Sequence, residues 1–528
     1  MFATILLSSA LALGGVNQPL KDIQVKEGVT PKFRKKTFAV TEAQYDQKTT
    51  SIADAKAYLA SHGSEFTEIT LTNVDDDLLQ TVKDHCPNLK AFAIASSYLL
   101  EHLTDAGMQT IATFPQLTSL SFDAFWAINV SYDGIEAMLN GQTNVEALSL
   151  AIGNDHILSL IGQYSNLKCF NFTSYDVTSS GLEAFIQSST LVSTLTALNL
   201  DVDPVAFTDA FVQGLAKYMQ LSELSLNGSW SATTDNVVAL FQALTNLTKL
   251  ELAGLAIRSA HVAPIGQMQN LTTLALTNCS KLAHNRDYKT LFTNLTNLQV
   301  LTLGKATGFT YEQCHLIAKL PLKALSLSDT LLYDDGLEKL CNSSTLQQSL
   351  ESLMLINEES IDNSGFGPLQ KLSLKTLCLE HCPWFNDTSM QLIMTGNLAN
   401  SLEALELQKV YISDATIHTL EHCPKLNTLM FVRNNAVTEE GMKTLLQLTP
   451  LHKSIKHLYL AEVIITSEMV PLFGAYENIE SLLIGDALDF NIFTDGDALF
   501  KLPNIKQNHT LTAVFLGPLT TWDDFVHW

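Results

Sequence analysis

The sequence predicts an α/β solenoid in which short parallel strands stack side by side along most of the chain. The first observation is an apolar triplet at the first, fourth and sixth places of a short segment, as at Leu426, Leu429 and Phe431. In the same unit Asn434 stands at the ninth place, and a helical pattern begins at Gly441. The second observation is that this unit recurs throughout the chain, which is typical of a repeat architecture.

The triplet predicts eighteen strands, and neighbouring triplets begin 22 to 32 residues apart. This spacing is close to the roughly 20–29 residues of a leucine-rich repeat. The first places of the triplets are Phe66, Leu89, Leu117, Val145, Leu167, Leu195, Leu221, Leu247, Leu271, Leu298, Leu322, Leu350, Leu374, Leu402, Leu426, Ile455, Ile479 and Leu511. From Leu298 to Ile479 short and long spacings roughly alternate, which predicts a shorter outer segment followed by one longer helix.

Stacking follows from the small size of one repeat. A strand with its return helix buries too little apolar surface alone, so each repeat has to complete the core of its neighbour. Parallel strands repeat every ~4.8 Å, whereas packed helices need ~8–10 Å. We therefore expect a horseshoe with a concave parallel sheet and outer helices.

The N-terminal part precedes the repeats. Residues 2–15 (FATILLSSALALGG) are apolar and end in small residues, which favours a signal peptide over residues 1–15. No Lys or Arg precedes this stretch, so a retained apolar N terminus is the alternative. Residues 16–51 are polar and are interpreted as a linker and N-terminal segment.

The repeat array is predicted over residues 52–516. It opens with an amphipathic helix from Ser51 to His62, which we expect to cover the first strand. Residues 517–528 are interpreted as a C-terminal cap, in which Trp522, Phe525 and Trp528 close the core.

Charge restricts the partners. The chain holds 54 acidic against 31 basic residues, a net charge of −23. Nucleic acids and anionic membranes require a cationic surface, so we expect neither as a partner and allow a basic protein. Part of the acid has a local explanation, because Asp105, Asp334 and Asp414 lie at predicted helix starts, where the dipole favours carboxylates. No run of about 18 apolar residues predicts a membrane span.

Cysteines at some ninth places are more specific. Cys279 and Cys382 occupy ninth places, as Asn434 does, and CPNL at Cys86 and CPKL at Cys423 recur before strands. The array thus resembles the cysteine-containing leucine-rich repeats of F-box substrate receptors and ribonuclease-inhibitor-like proteins. The resemblance implies protein recognition by a horseshoe and, in F-box members, the substrate arm of a ubiquitin ligase.

The resemblance has two departures. Residues 1–65 contain no F-box-like Leu-Pro opening followed by a three-helix pattern, so the alternative function is an F-box-less adaptor or regulator of a ubiquitin ligase in the cytosol. Most other ninth places are not Asn or Cys, so the side-chain ladder along the inner backbone is interrupted and its groups need other partners. These places include Val74, Ser97, Phe125, Gly153, Leu255, Val410, Val463 and Ala487.

The compartment has two readings. The weak N-terminal signal and ten N-x-[ST] sequons favour a secreted or cell-envelope protein. The eight cysteines form no clustered disulfide caps, which favours a reducing compartment or a bacterial origin. Cytoplasmic localisation therefore stays open.

A partner site is predicted on the concave face, which carries the third, fifth and seventh places of each strand. Early strands place small residues there, such as Ala93 and Ser149, whereas later strands place apolar residues that we expect to be exposed and to form a contact surface. Met430, Tyr459 and Phe515 would anchor a protein partner, and Glu380 and Glu406 would pair with its basic residues. Alternatively, the terminal cap folds over these strands, or irregular register inverts some of them. The candidate residues are Met354, Ile356, Glu380, Glu406, Met430, Val432, Tyr459, Leu483 and Phe515, and Cys378 shares their predicted exposure.

The sequence carries none of the common enzymatic motifs. HExxH, GxSxG, Walker A and GxGxxG patterns are absent. His-Cys-Pro occurs at 85, 381 and 422, but the copies differ in their position relative to the strands, so we do not expect a shared metal site. Cys378 is a conceivable nucleophile with no His/Asp pair placed by spacing. We therefore expect a non-enzymatic binding scaffold without a metal or cofactor.

Overall fold

The computed structural model describes most of the repeat array. The described residues are 52–71, 74–95, 100–114, 117–124, 127–278, 282, 285–305, 309–434, 436–485, 502 and the backbone of 513–517. They divide into two compact units, a first unit up to residue 256 and a second unit from residue 257. The predicted signal peptide and linker lie outside the described residues, as does the predicted C-terminal cap after Gly517, which is the last residue of β18.

The first unit alternates strands with short helices. Its eight described strands are β1 Glu68–Leu71, β2 Ala91–Ala95, β3 Ser119–Asp123, β4 Ala147–Leu150, β5 Cys169–Thr173, β6 Ala197–Phe207, β7 Glu223–Trp230 and β8 Lys249–Ala253. Its α-helices are Ile52–His62, Asp76–His85, Asp105–Ala112, Tyr132–Gly141, Asp155–Ile161, Ser179–Ile186, Asp209–Leu215 and Thr234–Ala243, with 3-10 turns at Gly63–Glu65 and Leu191–Ser193.

The second unit continues this alternation. Its strands are β9 Thr273–Thr277, β10 Val300–Gly304, β11 Ala324–Ser328, β12 Ser352–Ile356, β13 Thr376–Glu380, β14 Ala404–Gln408, β15 Thr428–Val432, β16 His457–Ala461, β17 Ser481–Gly485 and β18 Ala513–Gly517. Its α-helices are Ser259–Ile265, Asn285–Asn294, Tyr311–Ile317, Asp334–Cys341, Ser344–Ser349, Asp387–Ile393, Asn397–Ser401, Asp414–Ile417, Glu439–Gln447 and Thr449–Ser454. The 3-10 segments are Gly367–Lys371, His418–His422 and Ser467–Ala475.

Every described strand begins two residues after a predicted first place, so the strand prediction is confirmed along the array. Within each unit consecutive strands pair in parallel, and equivalent places of the triplet stand side by side. For example, Leu405 of β14 lies beside Leu429 of β15. The chain therefore has a leucine-rich-repeat fold, with α/β repeats whose order in each sheet follows the order in the sequence.

The core lies on one face of each sheet. Fourth and sixth places such as Leu429 and Phe431 are buried together with helix residues such as Met442 and Leu445. At the N-terminal end, Ala55 and Leu59 of the first helix are buried, and the Tyr58 ring lies 6.2 Å from that of Phe66 at the first triplet. The predicted helix over the first strand is thus confirmed.

The alternation of spacing has a different cause from the predicted one. In the second unit each long repeat after β11, β13 and β15 carries two consecutive short helices rather than one longer helix. The short repeats after β12 and β16 carry a 3-10 segment and no α-helix in the described residues. In each of these long repeats the second helix lies directly before the next strand, so the additional residues of the connection form this helix.

Acidic residues at helix starts join neighbouring repeats. Asp414 is the first residue of its helix, and its carboxylate accepts hydrogen bonds from both the backbone N–H (2.8 Å) and the hydroxyl (2.6 Å) of Thr438, the N-cap of the next repeat. We call this pair of bonds the carboxylate link. The same link joins Asp76 to Thr104, Asp105 to Ser131, Asp155 to Thr178, Asp209 to Thr233 and Asp387 to Ser413.

The carboxylate link explains a recurrent glycine. Gly441 is the third residue of its helix, and a Cβ there would lie 2.0 Å from Oδ1 of Asp414. Gly134 and Gly181 stand in the same relation to Asp105 and Asp155, at 2.2 and 1.9 Å. These glycines are required by the close approach of the preceding carboxylate, because any side chain would displace it.

We expect Gly441→Ala to lower the free energy of unfolding by roughly 1–3 kcal/mol, as for other overpacking substitutions. The matched control is Gly367→Ala in the same unit, where the nearest atom to an added Cβ is 3.5 Å away. Chemical denaturation of both variants measures the difference. In an Asp414→Ala background the cost of Gly441→Ala should fall, because the clashing carboxylate is gone; an unchanged cost would contradict the proposed cause.

Candidate functional site

The candidate site lies on the sheet face opposite the core, which we call the inner face. It carries the third, fifth and seventh places of each strand. In the second unit the fifth places form one row through paired Cα positions: Thr302, Ser326, Met354, Cys378, Glu406, Met430, Tyr459, Leu483 and Phe515. Five of the nine predicted partner-binding residues lie on adjacent strands in this row, from Glu406 on β14 to Phe515 on β18. A sixth, Met354, lies in the same row on β12, two strands before Glu406.

The expected exposure was wrong for much of this face. Met354, Cys378 and Leu483 of the fifth-place row are buried, with at most 5% of their surface exposed. Ile356, Glu380 and Val432 of the seventh-place row are buried as well. The alternating pattern of a strand shows which face a side chain occupies, but in a parallel sheet the same place of both neighbouring strands lies only ~4.8 Å away and covers it.

Three fifth-place residues remain partly exposed, and they are consecutive. Glu406, Met430 and Tyr459 are half-buried on β14, β15 and β16, and their Cα positions are direct partners. We call these three residues the inner row. Phe515 continues the row on β18 as the partner of Leu483, but its side chain is outside the described residues. The predicted site therefore contracts to a short segment of the face.

Burial makes the acids of this face weak. Desolvation raises the pKa of Glu406, although a hydrogen bond with Cys378 opposes the shift. Burial also raises the pKa of Glu380, whose Oε1 accepts a hydrogen bond from the Gln408 side chain at 2.9 Å, and Lys409 counteracts this shift. Glu380 is thus engaged within the unit and poorly placed to pair with an external cation.

The ninth places hold a ladder that satisfies the inner backbone. The Oδ1 of Asn434 accepts from the N–H of Val410 at 3.2 Å, and its Nδ2 donates to the carbonyl of Leu407 at 2.9 Å. The Sγ of Cys382 lies 3.5 Å from the carbonyl oxygen of Leu355. Asn434 and Cys382 therefore fulfil the role that the resemblance implies, whereas Cys279 lies outside the described residues.

Glu358 is a further member of the ladder that the sequence analysis missed. It occupies the ninth place of its repeat, is fully buried, and its Oε1 accepts from the N–H (3.1 Å) and hydroxyl (2.7 Å) of Thr330. Desolvation raises its pKa to about 8. Its Oε2 has no partner among the described residues. A charged residue at a ninth place was the signal that could have identified it.

The inner face of the first unit is polar and bonded internally. Its small residues are as predicted, and its acids have neighbours: Oδ1 of Asp123 accepts from Ser149 at 2.8 Å, and Oδ1 of Asp201 accepts from Asn227 at 2.8 Å. Glu251 lies 3.2 Å from the Lys249 ammonium. These pairs reduce the free charge that the composition alone would place there.

Backbone strain marks the edge beside the inner face of the second unit. Each strand from β9 to β16 is followed by a non-glycine residue with φ between 49° and 54°. This left-handed conformation is rare for residues with a Cβ. The N–H groups of the first seven of these residues each add one hydrogen bond to the sheet, as from Lys305 to the carbonyl of Ser328 at 2.9 Å. The eight residues are Asn278, Lys305, Asp329, Asn357, His381, Lys409, Arg433 and Glu462.

The structure separates the groups considered for chemistry. In each His-Cys-Pro copy the cysteine is buried and the histidine is exposed, and the copies lie in different repeats. Within the described part of the chain no cluster of three or more His, Cys, Asp or Glu residues could hold a metal. Burial raises the pKa of the Cys378 thiol well above its usual value, which argues against a nucleophilic thiolate.

A membrane-spanning helix is not found either. Of the helices in the described ranges, none combines the length and the apolar character needed to cross a bilayer.

Comparisons with known proteins concern the fold alone. No protein-family model matches the sequence, and the search of curated proteins finds no match. Three similar solved structures are an internalin (inlF) from Listeria monocytogenes, the Rad7 and Elc1 complex in yeast, and the TLR13-ssRNA13 complex. Their identities to this chain are 17%, 13% and 15%, with TM-scores of 0.40, 0.36 and 0.39. The matches cover 64%, 92% and 86% of this chain and 94%, 89% and 78% of those chains.

We expect Glu358 to make stability depend on pH. Its folded-state pKa of about 8 lies above the ordinary value of 4.5 for a glutamate, so folding takes up a proton at a pH between these two values. Its contribution is complete below about pH 4.5 and is lost as the pH rises through about 8, with a slope of at most about 1.4 kcal/mol per pH unit. Glu358→Gln should remove this contribution, so the variant gains stability relative to wild type as the pH rises.

Urea unfolding at about pH 5, 7 and 9 measures this difference. Glu359→Gln is the matched control, since Glu359 is the exposed neighbour in the same loop. A difference between Glu358→Gln and wild type that stays constant with pH would show that Glu358 is ionised in the folded protein.

Proposed function

We propose that this chain is a non-enzymatic recognition scaffold whose second unit binds a protein partner at the inner row. The observation that carries the proposal is the partial exposure of Glu406, Met430 and Tyr459 between buried neighbours of the same fifth-place row. Packing of the unit buries Cys378 before this segment and Leu483 after it. The inner row is thus accessible to a partner and combines apolar and acidic side chains, whereas the other described fifth-place side chains of the second unit are buried.

The side chains suit protein recognition. Tyrosine combines a large apolar ring with a hydroxyl and is enriched at the energetic centres of interfaces. Methionine adapts its shape to a partner through its flexible, polarizable thioether. The third places beside them on β14 and β15 are the small residues Ala404 and Thr428, which leave space next to the inner row.

The expected partner is basic at the point of contact. Glu406 is held towards its neutral form by burial. A lysine or arginine brought to this carboxylate would favour its ionised form and form a charge-assisted hydrogen bond. The net charge of −23 supports a basic protein segment over a nucleic acid.

Photo-crosslinking tests the location of the site. A benzoylphenylalanine is placed at position 430 or 459 in the full chain, and at position 392 as a control on an exposed side chain of an outer helix. In an extract of the natural source we expect the same protein to be crosslinked from 430 and 459 and not from 392. Equal crosslinking from all three positions would contradict the proposed site.

Competition with unlabelled protein then tests the chemistry. Unlabelled wild-type chain, added before irradiation, should reduce the yield of the crosslinked partner. Glu406→Gln should require about a tenfold or higher concentration for the same reduction, because a hydrogen bond to a charged group contributes about 1.5–3 kcal/mol. Equal competition by Glu406→Gln and wild type would show that the acid has no part in recognition. Melting temperatures of both competitors control for folding.

A further inference from the structure

Exposed aromatic side chains concentrate at the edge of the second unit where strands lead into helices. Of the nine large apolar side chains exposed among the described residues, four lie in the segments that follow β11, β13 and β14. Tyr333, Trp384 and Tyr411 expose 53%, 57% and 65% of their surface. We call these three residues and Leu331 the aromatic edge.

The aromatic edge is continuous and held by hydrogen bonds. Strands β11 to β14 are consecutive neighbours, so the segments that follow β11 and β14 are about 14–15 Å apart. The indole Nε1 of Trp384 donates to the carbonyl of Glu359 at 3.0 Å and thereby reaches over the loop after β12. The N–H of Tyr411 donates to the carbonyl of Phe385, also at 3.0 Å.

Tyr333 stabilises its helix less than a usual N-cap residue would. It is the N-cap of the helix Asp334–Cys341 and its side chain makes no capping hydrogen bond. The N-caps Ser413 and Thr438 in later repeats accept such bonds from their own helices. An absent side-chain cap costs about 1 kcal/mol. Residues that break a local rule without a structural gain are expected at functional positions.

The surroundings of the aromatic edge are acidic. Apart from the buried Glu358, residues 329–335, 357–363, 381–387 and 409–414 contain seven acids, one lysine and no arginine. Asp335 is exposed two residues after Tyr333 in the sequence. Glu359 is also exposed, and its backbone carbonyl accepts the hydrogen bond from Trp384. Aromatic faces attract cations, and nearby carboxylates add to this attraction.

We infer that the aromatic edge binds an extended arginine-rich segment of a protein partner. Guanidinium groups lie on the rings of Tyr333, Trp384 and Tyr411. They also pair with Glu359 and Asp335. Arginine suits this surface better than lysine because its planar, weakly hydrated group stacks on aromatic rings. An extended segment advances about 3.3–3.6 Å per residue, so about five residues cover the distance from the β11 segment to the β14 segment. This surface is separate from the inner row, and either site can fail while the other stands.

The test measures binding of a fluorescein-labelled octa-arginine peptide to the full chain by fluorescence anisotropy. An octaglutamate peptide is the charge control. Measurements at about 0.15 M ionic strength reduce attraction beyond ~8 Å and so emphasise direct contact. We expect the Trp384→Ala/Tyr411→Ala variant to bind octa-arginine about five- to thirtyfold more weakly, as expected for loss of two cation–π contacts. Met219→Ala, which removes an exposed apolar side chain of the first unit, should bind like wild type.

The aromatic substitutions leave the net charge unchanged, so equal binding by wild type and the double variant would show general electrostatic attraction and overturn the inference. Absence of octa-arginine binding, or equal binding of octaglutamate, would overturn it as well. Because the probe is a defined peptide, the result does not depend on crosslinking at the inner row.

Tyr333→Thr separates binding from folding. Threonine supplies the missing N-cap oxygen, so we expect a melting temperature at least as high as that of wild type. Octa-arginine binding should nevertheless weaken about two- to fivefold, because one ring is lost. Retained affinity in this well-folded variant would remove Tyr333 from the surface and leave the proposed span of the aromatic edge without support.

Discussion

The carboxylate link is the interaction on which the regular order of the helices depends. Strand pairing alone sets the repeats side by side at one edge, and it leaves the start of each helix free to shift. In the carboxylate link one aspartate both favours its own helix through the dipole and binds the N-cap of the next repeat through two hydrogen bonds. The segment between a strand and its helix is therefore held at both ends, by the sheet and by the link. Trp384 and Tyr411 of the aromatic edge lie in such segments, which lead into the helices that begin at Asp387 and Asp414.

The two inner faces differ although they have the same backbone plan. In the first unit acids are bonded to serine or asparagine on a neighbouring strand, as Asp123 is to Ser149, or to lysine on the same strand, as Glu251 is to Lys249. In the second unit apolar, thiol and carboxyl groups share the face, and burial keeps the carboxyl groups of Glu380 and Glu406 weakly acidic. In the second unit, non-glycine residues adopt the left-handed conformation after strands β9 to β16. In the first unit, the left-handed residue after β8 is Gly254. These differences in chemistry are the basis on which we propose a recognition role for the second unit.

The strands could be predicted because the apolar triplet records burial directly: Leu429 and Phe431 are apolar because they face the core. Exposure on the inner face could not be predicted, because it depends on which residues stand beside each other in register. Met430 and Met354 occupy the same place of their triplets, yet the first is half-buried and the second is buried. Glu358 was missed because a buried acid reads as a surface residue in a sequence. Trp384 and Tyr411 were missed because loop residues carry no periodicity.

The carboxylate link also bears on how a chain of this kind changes length. Thr104 binds Asp76 in the same way as Ser131 binds Asp105. If the segment 104–130 were lost, Ser131 would follow Leu103 and meet Asp76, and the two donors would find the same two acceptors. Gain or loss of a whole repeat thus leaves the joint chemically unchanged, whereas loss of part of a repeat separates a donor from its acceptor. Unequal crossing-over between repeats in this phase would conserve the fold, and the array could lengthen or shorten to suit partners of different size.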